Sequence, residues 1–149
     1  MKTLALNLSF LCSILLSCGT AFGQSPTIKD MDEVVSSVNS CLSDANADCV
    51  GDDIAKYVDL PITSEFKIQL EGTKSALKLA LSSGKPNLIG LIEDRKYGND
   101  INVKIYYINL PDPANQFLFV KYSFFRTVGG WKLTGVYFKA SGVYPIQGF

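Results

Sequence analysis

Hydrophobic positions along this chain follow a helical rhythm in the first half and an extended one in the second. Met31, Val34, Val35, Val38 and Leu42 fall on one stripe of a helix, because residues three and four apart share a face. Asp30 precedes the stripe and Glu33 follows three residues on, a capping arrangement for the start of that helix. Small and polar residues from Ser43 to Asp48 interrupt the pattern. A second short helix is predicted from Asp52 or Asp53, with Ile54, Tyr57 and Val58 on one face and Pro61 as its stop. Glu65 to Glu71 alternates polar and apolar, which predicts a short half-buried strand. Thr73 then caps a third helix running to Ser83, with Ala76, Leu77, Ala80 and Leu81 inward and Gly84 and Pro86 ending it.

The extended rhythm takes over at Asn87. A strand is predicted to Tyr97, a turn at Gly98-Asn99-Asp100, and a second strand from Ile101 to Leu110. Leu110 to Gln116 holds Pro111 and Pro113 and reads as a longer loop. Phe117 to Ala140 reads as one hairpin about Gly129-Gly130, since paired glycines suit the positive φ angles of tight turns. That loop sets Val128 opposite Trp131. One face then collects Tyr122, Phe124, Arg126, Trp131, Leu133 and Tyr137 and is assigned to the core, with Phe124 covering Gly135. The other carries Phe119, Phe125, Val136 and Phe138 among Lys121, Lys132 and small polar residues. This is more apolar than a solvated sheet face. Two readings stay open: the tail from Ser141 to Phe149 covers it, or Phe119, Phe125, Val136 and Phe138 form the interface of a homodimer.

A chain of 149 residues has room for one domain. Fourteen basic residues balance fourteen acidic ones with no basic cluster, so nucleic acid is not the expected partner. Met1-Lys2, the apolar run Leu4 to Leu16 and the small-residue pattern Ala21-Phe22-Gly23 make residues 1–23 a cleavable signal peptide, leaving 24–149 as the mature domain. A competing site is Leu15-Leu16-Ser17-Cys18, which resembles a lipoprotein box; its use makes Cys18 the lipidated first residue and the membrane a partner. Either route carries the chain out of the cytoplasm, to a periplasmic or secreted location or to an outer-membrane anchor. Cys41 and Cys49 are then the even pair of an exported protein and are expected to form a disulfide.

Histidine is absent, which removes Ser-His-Asp and Cys-His catalysis and histidine-held metals. Two thiols without histidine do not complete a zinc set. Glu93, Asp94 and Asp100 lack the spacing of a calcium loop and read as solvated acids. No cofactor and no metal are expected.

The order of elements is an α+β layout: three N-terminal helices on an antiparallel sheet made of a short strand and a four-stranded meander. With the passage into Gly72-Thr73 before the third helix and the closing Gly129–Phe138 segment, GGWKLTGVYF, the chain resembles the nuclear transport factor 2-like superfamily. That family includes ketosteroid isomerases, dehydratases and small exported bacterial proteins. The resemblance implies a curved sheet wrapped round helices, a conical pocket, and dimers formed through the outer sheet face. It also implies a pocket carboxylate as base with a tyrosine holding an oxyanion, but no acid here matches the family position, so no catalytic residue is assigned. Asp53 and Asp59 are the remaining candidates near the second helix. A pocket is expected from Tyr57, Tyr122, Phe124, Arg126, Trp131 and Tyr137, open to a small apolar or anionic ligand. The leading expectation is an exported non-catalytic binding or assembly module that dimerises. The alternatives are an isomerase- or dehydratase-like enzyme and a lipid-anchored accessory protein that meets another envelope protein.

Overall fold

A computed structural model describes residues 27–58, 63–111 and 117–141. The expected signal peptide, Cys18, Asp59, Pro61, Pro113 and the tail beyond Ser141 lie outside the described residues. Helix α1, Met31–Ser43, forms as its stripe predicts, and the Asp30 carboxylate accepts the Asp32 N–H at 2.8 Å, satisfying a donor the first turn leaves open. Ahead of it lies Ile28, a buried residue. It exchanges two backbone hydrogen bonds with Trp131, each 3.0 Å.

Helix α2, Ala47–Tyr57, starts five or six residues earlier than predicted. The polar stretch before it is a cap rather than a break: Asn46 accepts the Cys49 N–H at 3.0 Å, and Ala47, Val50 and Ile54 already face the core. Cys41 and Cys49 are joined by a disulfide between the last turn of α1 and the first of α2. Helix α3, Ser64–Ala80, absorbs both the predicted short strand and the helix expected from Thr73. Thr63 caps it by accepting the Phe66 N–H at 3.2 Å. Seven alternating residues misled because Phe66 and Leu70 also share a helix face with Leu77 and Leu81; only Ile68 falls outside, 72% exposed. Helix α3 packs on α2; at Gly51 a Cβ would collide with the Lys74 side chain at 2.1 Å.

Strands β1, Leu88–Tyr97, β2, Ile101–Asn109, β3, Phe117–Thr127, and β4, Gly130–Ser141, form a curved antiparallel meander in chain order. The architecture is therefore the expected α+β one, without the short extra strand among the described residues. Its core lies between α1, α2 and the inner face of the sheet. Val38, Leu42, Val50, Val120, Tyr122 and Leu133 are completely enclosed there, each Leu or Val contributing about 1.5–3 kcal/mol by leaving water.

The closing hairpin has a different register from the predicted one. Thr127 pairs with Gly130 and Arg126 with Trp131, so Val128 and Gly129 make the turn. Neither Val128 nor Gly129 has a positive φ; it falls on Gly130, the first residue of β4 (+132°), a conformation open to glycine. Farther along, Phe124 faces Leu133 but Ser123 faces Gly135. Thr134 is thus an extra residue, its hydroxyl donating to the Ser123 carbonyl at 3.0 Å. A bulge of one residue exchanges the faces of everything beyond it. Val136 and Phe138 consequently turn inward and pack on the core, while Tyr137 goes to the outer face, where the Lys121 ammonium sits 4.8 Å from its ring centre. Gly135 is covered by Tyr137, not by Phe124.

Candidate functional site

The bulge changes which predicted residues can meet. Tyr57, Tyr122 and Phe124 are buried members of the filled core. Arg126 and Trp131 lie together at the hairpin end, the guanidinium 6.0 Å from the indole centre. Tyr137 stands on the opposite face. These six do not share one cavity. Of the four predicted interface residues, Val136 and Phe138 point inward and Phe119 is 2% exposed, leaving Phe125 as the one that faces solvent.

A cleft of about 440 Å³ lies elsewhere, between α1 and the first two strands, and opens to solvent. Helical spacing brings Asp32, Val35, Ser36, Asn39, Ser40 and Ser43 to one side of it; Ile89 and Tyr106 line the other. Val34, Val38 and Leu42, on the neighbouring stripe of α1, are core residues. The same helix therefore seals the interior with one face and walls the cleft with the next.

Beside the cleft lies a polar cluster on the inner face of the sheet. Lys104 is 6% exposed and donates to Asp32 Oδ1 and Asp94 Oδ2, both at 2.8 Å. Asp94 and Lys104 are direct partners in the β1–β2 register, and Asp32 reaches them from the first turn of α1. Asn102, fully enclosed, donates to Asp94 Oδ1 at 2.9 Å, while its own Oδ1 is buried with no hydrogen-bond partner. The hydrogen bond from Lys104 holds the Asp94 carboxyl below the usual range, against the opposing pull of burial. Burial draws Lys104 down, but its bonds to the two carboxylates outweigh that and keep the ammonium above its ordinary value.

Tyr122 donates to Asn39 Oδ1 at 2.7 Å, and its ring meets that of Tyr106 edge-on with centres 5.9 Å apart. Burial pushes both phenols above their ordinary range, so they stay protonated donors at neutral pH. Asp53, one of the acids considered near the second helix, is taken by structure: it accepts the Ser37 hydroxyl and lies 3.7 Å from Cys41 Sγ, joining α1 to α2. Among the described residues no group of three metal-ligating side chains comes together.

Asp32, Asn39, Asn102 and Lys104 were absent from the sequence expectation, and Asp94 was read as solvated. The signal was present but divided. Ile101–Asn109 carries apolar residues on both faces, so alternation alone does not say that Asn102, Lys104 and Tyr106 look toward the helices.

No protein-family model matches the chain, and no curated protein sequence matches it. Solved structures do. A Campylobacter jejuni protein named as an NTF2-like transpeptidase shares 11% identity over 70% of this chain and 98% of its own, with a TM-score of 0.51. A Thiobacillus denitrificans domain named for calcium/calmodulin-dependent protein kinase type II association shares 11% identity over 76% of this chain and 96% of its own, with a TM-score of 0.49. At such identities the likeness is one of fold.

Proposed function

From the nuclear transport factor 2-like fold of this chain, we propose a small exported binding domain whose ligand enters the cleft between α1 and the first two strands. The observation that carries this reading is the buried lysine held by two carboxylates beside an enclosed asparagine with an unmet acceptor. Burying such groups is costly, and apolar residues of similar size often give a more stable core. Their position beside an open, serine-lined cleft is what a site for a small polar molecule would need. Tyr106 offers a hydroxyl donor there, and Asp32, with its side chain 69% exposed, offers an acceptor for an amine or hydroxyl.

The same electrostatics favour holding over proton transfer. A general base works best with a pKa near the operating pH, and Asp94 is displaced away from it, toward lower values. The transpeptidase name of one structural neighbour stays with that neighbour. Export is supported by the disulfide, a bond of oxidising compartments.

Titration of isotopically labelled protein with a panel of small amines, amino acids and polyols, followed by amide NMR, tests the reading. At least one compound should shift Ser36, Asn39, Ser40 and Tyr106, and Asp32→Asn or Tyr106→Phe should weaken that response. A panel that leaves all four cleft residues unmoved would end the proposal.

A further inference from the structure

The ligand proposed above for the cleft can be narrowed by charge, and the narrowing rests on that proposal. Two oppositely charged groups stand at the cleft with very different access to solvent. Lys104 keeps only 7% of its side chain exposed, whereas Asp32 keeps 69% and lines the cleft itself. A molecule entering from solvent therefore meets the anion and is kept from the cation. Lys104 occupies Asp32 Oδ1 and leaves Oδ2 open to a second donor.

Lys104 stands between two carboxylates, Asp32 and Asp94, so the trio carries one uncompensated negative charge. Four further charges border this end of α1 and the same face of β1, all of them exposed. Lys29 and Lys96 are basic, Asp30 and Glu33 acidic, and they cancel. Beyond Ser43, at the other end of the helix, Asp44 is bonded to Lys85 at 2.8 Å. The excess is one negative charge, and the member of the trio open to the cleft can share it with a ligand. A monovalent cation there restores neutrality, whereas a carboxylate or phosphate makes the excess larger and is repelled.

The walls say which kind of cation. Asp32 is the one carboxylate lining the cleft, and a single carboxylate among neutral hydroxyls is a poor set for a hard metal ion. It suits a group that brings its own N–H donors. Ser36 follows Asp32 by one helical turn and Ser40 by two, which sets their hydroxyls on the face of the carboxylate. The Tyr106 side chain lines the facing wall, and Val35 and Ile89 supply apolar surface for a short carbon chain.

We propose that the cleft binds a primary amine in its ammonium form. The ammonium donates to Asp32 Oδ2 and to the hydroxyls of Ser36 and Tyr106, and the carbon chain lies against Val35 and Ile89. Asp32 is then the residue that sets specificity, choosing an amine over an alcohol or an acid of the same size.

Three compounds of one length and different charge test this: 5-aminopentan-1-ol, pentane-1,5-diol and 5-hydroxypentanoate. Each is titrated at neutral pH into isotopically labelled protein and followed by amide NMR at Ser36, Asn39 and Ser40. The amino alcohol should bind at least about tenfold more tightly than either of the others, and its binding should weaken with added salt. Asp32→Asn keeps an oxygen for Lys104 but removes the charge, and should bring the amino alcohol and the diol to within about twofold of each other. A merely loosened helix would weaken both and leave their ratio alone. Glu65→Gln, the same loss of charge at the start of α3, should leave the preference intact. Circular dichroism checks that both variants are folded. The inference is overturned if the diol or the hydroxy acid binds as tightly as the amino alcohol, or if Asp32→Asn keeps the preference; the cleft as a binding site survives either result. It is also overturned if none of the three moves the cleft residues, and the amino acids and polyols named above then decide whether the cleft binds anything.

Discussion

Lys104 has two carboxylates at 2.8 Å, one on the neighbouring strand and one on α1, and the pH response of the fold follows from that. Asp94 is depressed in the folded state, so its contribution is complete above the ordinary carboxylate value of about 3.9 and fades as the pH falls through the lower folded value. Lys104 is raised, so its contribution is complete below about 10.4 and is lost as the pH rises through the higher folded value. Urea unfolding followed across pH should show stability falling on both flanks. Asp94→Asn should flatten the acid flank and cost about 1–2 kcal/mol at neutral pH, a modest figure because both carboxylates are partly open to water. An unchanged acid slope would mean that the pair contributes nothing. The sequence shows an acid in one strand and a lysine in the next; that they are partners depends on register, which a two-residue alternation does not fix.

At the scale of elements, the disulfide and the caps decide where the helices begin and end. Cys41–Cys49 ties the end of α1 to the start of α2 across a separation of eight residues. Its removal should lower stability by about 2–3 kcal/mol on the loop-entropy estimate. Thermal melts with and without a phosphine reductant, beside the Cys41→Ser/Cys49→Ser double variant, measure this; equal melting temperatures would assign the bond no part in stability. The expected pairing, α1, the three-helix order and the four-strand meander were all legible in the sequence. The start of α2 was not, because Asn46 acts as a cap only once Ala47 and Val50 find the core. The far half of β4 was not legible either. A bulge at Thr134 leaves no mark in the hydrophobic pattern, since Val136-Tyr137-Phe138 is apolar on both faces. One unseen residue therefore moved Tyr137 out of the predicted pocket and moved Val136 and Phe138 out of the predicted interface.

Over the whole molecule, the helices cover one face of the sheet, and among the described residues a polar cleft along α1 and an apolar row at the turns are open to solvent. The general architecture was legible because helical and extended periods are segregated along the chain; the two regions were not, because each is assembled from residues far apart in sequence. Gly130 is where the N-terminal segment, the final hairpin and the exposed end converge. A Cβ there would meet Thr27 Cγ2 at 2.6 Å and the Ile28 carbonyl oxygen at 3.0 Å, on a backbone with φ of +132°. Gly130→Ala should cost about 1–3 kcal/mol and loosen the Ile28 bridge. The emission of Trp131, the single tryptophan, reports that loosening; a variant with native emission and native stability would show that the junction tolerates the methyl group.

That junction also governs when the protein can come into being. Ile28 and Trp131 are about a hundred residues apart, yet they bond directly. A nascent chain leaving the ribosome carries the first partner long before the second exists, and such distant pairings are slow to find. The Ile28 bridge therefore forms only once the last hairpin is present.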